Sequence, residues 1–465
     1  VFALPFIIAL ILLVYAHPQD FFESLRSLPL LYAFFGLALV GLALDLVGVT
    51  GRLRSPPQLP WACLLLVWSG AGALLRLPGE AHPHLTQLAI CVALCALLAH
   101  GLPSLQALRY ATGTILVLVL FVCAVGVHQG LAPTGCVVVD DAIPVDTSAG
   151  GPDGRPCVTA QDCYLDDPMP GADYACERVG LFGTTTVGQG RVRYLGVLQD
   201  PNELALAGAI GLPLAFASRR RGRAWGVVVG GTALAVVLIC AVLTRSRTGQ
   251  LVSLTVLAVY FARRFGVRGL VLAGALGLPL FLLGGRGGME ATRSTIERTE
   301  CWAEALAMWR DHPVLGVGLG QFGQYHYLTA HNSYLLPLAE LGLPGLLLFS
   351  VIFYLSSKIP LMALRHAAGG GFAHVTLDDE RAATSAAMAL AAAFAGLAVG
   401  LLFLSFTYHY VLWIYMGLSG ALYVNVRRLD DSFRVALGWS DLLLVASADV
   451  ALIALLRLYT HHVLG

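Results

Sequence analysis

Long apolar runs recur from one end of the chain to the other, and they constrain its fold more tightly than any other feature. A run of about 20 apolar residues crosses a hydrocarbon core as a helix, because every backbone N–H and C=O is then satisfied within the segment. Such runs fall at about 1–16, 28–49, 59–76, 84–102, 105–127, 203–217, 224–243, 249–262, 269–285, 333–357, 383–406, 411–425 and 440–456. The last of them also suits a helix lying flat on the membrane. Of 465 residues, 57% are hydrophobic and only 12% charged, about half the charged share of a soluble domain. The expected class is all-α: a polytopic helical membrane protein of about 12–13 transmembrane helices with two larger outward loops. A net charge of +1 gives no reason to invoke nucleic acid.

Orientation follows from the bias of Lys and Arg toward cytoplasmic loops. Arg52 and Arg54, Arg109, the run SRRRGR at 218–223, Arg263 with Arg264 and Arg268, Lys358 with Arg365, and Arg427 with Arg428 and Arg434 fall on alternate loops. That side is expected to be the cytoplasm, with 366–381 a flexible connector on it. The loops 128–202 and 286–331 then face outward. The chain divides accordingly into N-terminal spans (1–127), a loop with four cysteines (128–202), central spans (203–285), a second outward loop (286–331) and C-terminal spans (332–465).

Cysteine usage supports the same topology. Cys136, Cys157, Cys163 and Cys176 crowd one polar loop, which suggests two disulfides and an oxidising compartment. Three pairings are open. Zinc is the rival reading, although no CxxC pair or histidine accompanies the four. Cys63, Cys91, Cys95, Cys123 and Cys240 lie in spans as small apolar fillers, and Cys301 is expected to be unpaired.

The stretch 286–345 breaks the apolar pattern. Thr295 to Trp309 reads as a helix with Arg298, Trp302, Ala305 and Trp309 on one face. Asp311-His312-Pro313 stops it, since the residue before a proline avoids helical angles. Gly316, Gly318, Gly320 and Gly323 make a pliant turn, and His331-Asn332 stands at the mouth of the next span. Outward arginines cluster on three segments: Arg155, Arg178, Arg191 and Arg193; Arg245 and Arg247 in LTRSRTG; and Arg286, Arg293, Arg298 and Arg310. Snorkelling side chains explain such residues by default; an anion site is the functional alternative, because guanidinium binds phosphate bidentately and stays charged. His331 can take a proton near neutral pH, Glu340 is a carboxylate inside an apolar span, and Asp200-Pro201-Asn202 suits a helix start. Trp302 and its aromatic neighbours are interfacial anchors or sugar-stacking rings. The outward loops carry no DxD-type metal motif; Asp140-Asp141 and Asp166-Asp167 read as solvated pairs.

The order of these elements resembles the signature region of the O-antigen ligase and polymerase superfamily of bacterial membrane glycosyltransferases. The matching features are Arg298 and Trp302 on a helix, then HPVLGVGLGQF, TAHNSYL and LAELGLPG, preceded by Asp200-Pro201-Asn202 and by Ser246-Arg247-Thr248, where threonine stands in place of a common glycine. The resemblance covers about 190–350 and implies a GT-C-like fold in the bacterial inner membrane, with the active site facing the periplasm. It implies an undecaprenyl-diphosphate-linked glycan donor, an acceptor that is lipid A-core or a lipid-linked glycan, surrounding membrane lipids, and inverting transfer with no metal or cofactor. His331, Arg298 and Arg247 are then the catalytic candidates, and Arg245, Asn332, Trp302, Asp200, Asn202 and Glu340 the substrate-binding ones. Lipid A-core is the favoured acceptor; a polymerase joining lipid-linked repeats is the alternative. A transporter for polar solutes or lipid-linked glycans is the rival from another class, and it would place charges and broken helices near the midplane.

Overall fold

The computed structural model describes residues 2–47, 54–76, 82–139, 151–165, 168–188, 190–217, 223–285 and 288–464. Arg52, the 218–223 run apart from Arg223, Asp140, Asp141, Asp166, Asp167 and Arg286 lie outside them. Six helices come first: α1 (Ala3–Ala16), α2 (Glu23–Arg26), α3 (Leu30–Val47), α4 (Leu59–Arg76), α5 (His82–Gly101) and α6 (Leu105–Leu131). Three strands follow, β1 (Thr134–Val139), β2 (Pro152–Pro156) and β3 (Asp173–Arg178). Then come α7 (Pro201–Ala217), α8 (Arg223–Leu243), α9 (Arg247–Phe265), α10 (Val267–Leu283) and α11 (Gly288–Asp311). The chain ends with α12 (Leu335–Ala368), α13 (Leu377–Gly400), α14 (Tyr410–Leu429) and α15 (Trp439–Leu464).

Each expected span coincides with one of these helices. Eight are long and apolar enough to cross a membrane: α3, α4, α5, α6, α8, α12, α13 and α15. α1, α7 and α10 are shorter apolar helices, and α9 and α14 complete the set. The protein is an all-α polytopic membrane protein. The connector expected at 366–381 is shorter than hydropathy suggests. α12 continues to Ala368, and α13 starts at Leu377, where the Thr376 side chain accepts the Asp379 N–H (3.2 Å). Asp378, Asp379 and Glu380 fill the first turn of α13, where the helix dipole favours negative charge.

The chain forms two compact units. One comprises Val1–Ile7, Phe34–Ala111 and Gly287–Gly465; the other comprises Ile8–Ala33 and Thr112–Arg286. In the first, α12 packs against α4, α11, α13, α14 and α15. It is broken at Gly342 (φ 73°, ψ −170°), and the turn after α11 fills the break. Val317 N and Gly318 N donate to the carbonyls of Ala339 and Glu340 (2.9 Å each), and Leu343 N donates to Pro313 O (2.9 Å). Glycine is required on both sides. A Cβ on Gly316 would lie 2.2 Å from the Glu340 carbonyl carbon, and one on Gly342 would lie 2.1 Å from Val314 O. The freed Leu341 carbonyl accepts the Trp68 indole N–H (2.9 Å), so the break leaves no orphan at this position.

In the second unit α7 packs between α8 and α9 and is buried over most of its length. The cysteine loop adds a sheet that hydropathy does not reveal. Its order is β2-β1-β3, antiparallel, with Cys136 directly opposite Cys176. These two do not bond to each other. Cys136 pairs with Cys163 and Cys157 with Cys176, over separations of 27 and 19 residues. Each closure stabilises by about 3 kcal/mol in the chain-entropy description. The buried cluster here consists of three cysteines and Tyr174, so cross-links do what a core of this size cannot.

Candidate functional site

In the second unit the DPN and SRT elements meet. Asp200 Oδ1 accepts both the backbone and the side-chain N–H of Asn202 (2.6 and 2.7 Å). Asn202 Oδ1 accepts the Ser246 hydroxyl (2.7 Å), and Ser246 Oγ accepts Gly249 N (2.9 Å), capping α9. The N-termini of α7 and α9 are therefore tied together. The approach is close: a Cβ on Gly249 would lie 2.3 Å from Ala205 Cβ. Helix N-termini carry partial positive charge and unsatisfied N–H groups, and the flanking Arg245 and Arg247 are both exposed. Arg245 holds a left-handed backbone (φ 49°), which costs a non-glycine residue roughly 1–2 kcal/mol.

Two further arginines frame this corner from inside. Arg191 is 3% exposed, and its Nε donates to Thr244 O (3.2 Å), fixing the turn before the α9 cap. Arg193, 5% exposed, donates from Nε to Thr185 O (3.1 Å) and from a terminal nitrogen to Thr185 Oγ1 (3.1 Å). Burial lowers the Arg193 guanidinium to about 10; Glu177 and Asp200 oppose that shift. These arginines belong to the scaffold of the loop rather than to its surface.

In the first unit α11 begins two turns before the helix expected from Thr295 and ends at Asp311, as Pro313 requires. The expected stripe is seen. Trp302, Ala305 and Met308 are buried with Cys301, Trp309 packs against them, and Arg298 is half-buried. Trp302 is 9% exposed, with its ring 5.9 Å from that of Tyr459 on α15. Burial, reinforced by Glu300 and Glu297, pushes the Cys301 thiol up to about 12. A groove of about 760 Å³ opens along α11, lined by Arg293, Ile296, Glu297, Glu300 and Tyr327 among others.

His331 is the second basic site candidate in a left-handed conformation (φ 47°), and the residues after it are locked. Asn332 is 1% exposed. Its Oδ1 accepts Tyr334 N and Leu335 N (2.9 and 3.0 Å), and its Nδ2 donates to Leu402 O (3.0 Å). Ser333 N donates to Leu401 O (2.7 Å), its hydroxyl donates to Leu404 O (2.5 Å) and accepts Phe406 N (2.8 Å), and its carbonyl accepts the Thr407 hydroxyl (2.7 Å). The half-buried His331 is thus held at the start of α12 by a strap from the 401–407 turn. Glu340, 2% exposed, accepts Phe322 N (3.3 Å), and the Gly320 N–H and Tyr408 hydroxyl face the same carboxylate.

Residues 204–350 match the family Wzy_C, described as O-antigen ligase. This match, over less than half of the chain, supports the O-antigen ligase/polymerase superfamily. No curated protein matches the chain. The matched O-antigen ligase segment contains Ser246-Arg247, α11 and His331-Asn332-Ser333; Asp200 and Asn202 lie just before it, and the 401–407 strap lies beyond it.

The structure sets the expected residues in local frames. It brings Asp200, Asn202, Ser246 and Arg247 together, and it builds His331 and Asn332 on one frame. Asn332 spends its amide on capping α12 and on the strap, and Trp302 is packed into a core. Sequence reasoning did not find the 401–407 strap, Tyr408 beside Glu340, or the buried roles of Arg191 and Arg193. The strap involves residues about 70 positions apart, a separation that no local pattern encodes.

Proposed function

We propose that the protein is a glycosyltransferase that moves a glycan from undecaprenyl diphosphate to an acceptor hydroxyl, with lipid A-core as the favoured acceptor, at the periplasmic face of the bacterial inner membrane. The observation that carries this reading is the O-antigen ligase match over 204–350, which includes an exposed arginine at a capped helix start and a histidine held in a strained backbone. In this reaction the acceptor oxygen attacks the anomeric carbon. The bond from that carbon to the diphosphate oxygen breaks with inversion, and undecaprenyl diphosphate leaves with the electron pair. Arg247, beside the N–H groups of the first turn of α9, binds the diphosphate. Arg298 neutralises charge on the leaving group without a metal. His331 takes the acceptor proton or orients the attacking hydroxyl. The α11 groove, with Tyr327 and two glutamates, offers ring stacking and hydrogen-bond acceptors suited to a glycan.

The test uses purified full-length protein, a synthetic undecaprenyl-diphosphate glycan, lipid A-core and EDTA, with products resolved by gel and mass. Glycan on lipid A-core, resistant to EDTA and lost in Arg298→Ala and His331→Ala, is the expected result. Longer lipid-linked chains without that acceptor identify a polymerase of the same superfamily. No transfer by folded protein under either condition sinks the reading and favours transport.

A further inference from the structure

The second unit holds a polar side chain that the roles above leave unused. Gln250 lies one turn into α9, 2% exposed, and its Nε2 has no hydrogen-bond partner among the described residues. An unpaired buried amide is destabilising, so its presence in an apolar segment needs a reason. The amide N–H groups of Gln58 and Asn425 are engaged, Gln58 Nε2 with Met416 O and Asn425 Nδ2 with Leu102 O. Gln129, held through its oxygen by the Arg193 backbone N–H, shares with Gln250 an unpartnered Nε2 among the described residues but lies on α6, not at the α9 start.

The position of Gln250 supplies the reason. The end of α10 lies across it. A Cβ on Gly284 would fall 2.2 Å from Gln250 Nε2. A Cβ on Gly285 would touch the Gln250 amide at 3.6 Å and Arg247 Cγ at 3.8 Å. The amide and the Arg247 stem therefore lie side by side over one glycine, just inside the capped N-terminus of α9. One helical turn at the N-terminus of α9 carries a guanidinium and an amide N–H, both of them donors. That set suits the several oxygens of a phosphate group. The close backbone of Gly284 also restricts the amide, so little rotamer freedom is lost when a ligand binds.

We propose that Gln250 is a substrate-binding residue that donates its amide N–H to a phosphate oxygen of the lipid diphosphate held at Arg247. The inference rests on the donor assignment above and adds a residue to it. The ligand class is a diphosphate monoester of a long-chain lipid.

The experiment measures binding of undecaprenyl diphosphate to detergent-purified full-length protein by tryptophan fluorescence, together with thermal stability. The wild type is compared with Gln250→Met, which keeps the length and removes the donor, and with Gln250→Glu, which sets a carboxylate against phosphate. Gln250→Met is expected to raise Kd about tenfold, the size of one lost hydrogen bond, while its melting temperature stays level or rises. Gln250→Glu is expected to weaken binding further. Wild-type affinity in Gln250→Met, or a lower melting temperature with unchanged affinity, would show a packing residue and overturn the inference alone. A wild type that does not bind undecaprenyl diphosphate would overturn the donor assignment and this inference with it.

Discussion

The starts of α9 and α12 are built on one plan and finished differently. In each, a basic residue in a left-handed backbone precedes a polar cap: Arg245 before Ser246, and His331 before Asn332. At α9 the cap is a single hydroxyl tied to Asn202, and the arginines around it stay exposed. At α12 Asn332 and Ser333 are buried and strapped to 401–407 by five hydrogen bonds, and Asn332 Oδ1 caps the helix through Tyr334 N and Leu335 N. An exposed cation at a capped helix start suits a charged lipid headgroup. A histidine whose next two residues are strapped in place suits proton transfer, where a small displacement is expensive in rate. On the proposed function, the difference assigns donor binding to the α9 corner and positioning to the α12 corner.

Mutations can break or sharpen that contrast. The largest effects are expected from Arg247→Ala and His331→Ala, each lowering transfer on the order of 100-fold or more, as loss of a charge-stabilising or proton-transferring group does; initial rates with the lipid-linked donor check this. Next comes the strap. Ser333→Ala removes a buried hydroxyl that donates to Leu404 O and accepts Phe406 N, and we predict a loss of about 1–3 kcal/mol. Chemical denaturation should show that loss, and turnover should fall without a change in donor affinity. Ser246→Ala removes the α9 cap and the hydrogen bond to Asn202 Oδ1, about 1–2 kcal/mol, and should act on donor KM.

Two further predictions concern cysteines. Replacing Cys157 and Cys176 together by serine opens a 19-residue closure and should cost the cysteine loop about 3 kcal/mol, seen as faster hydrogen exchange in β1 and β3. Cys301 is buried, with its thiol raised to about 12. A raised value keeps the thiol protonated at neutral pH, so iodoacetamide should leave Cys301 unlabelled at pH 7.5 until the protein is denatured. Rapid labelling in the native state would show that the core around Trp302 opens.

Hydropathy located every expected span because burial in lipid is a local, compositional signal. The disulfide loop was legible as a disulfide loop, but its pairing was not. Cys136 and Cys176 face each other across a ladder and bond elsewhere, which depends on the sheet formed between them. The glycines of HPVLGVGLGQF and LAELGLPG were visible as turn residues. That Gly316 and Gly342 interlock, each leaving room for the other segment's backbone, is a tertiary fact. In the site, Arg247 and His331 stand out by chemistry and order, whereas the strap and Gln250 depend on what lies beside them.

The contrast between the two helix starts is tested most directly by steady-state kinetics of Arg247→Lys and Ser333→Ala on the undecaprenyl-diphosphate glycan. Lysine keeps the charge and loses the bidentate fork, so Arg247→Lys should raise donor KM about tenfold with kcat nearly unchanged. Ser333→Ala should lower kcat and leave KM near that of the wild type. If both variants move the same constant, or if Arg247→Lys leaves both constants at wild-type values, the division into a binding corner and a positioning corner is wrong.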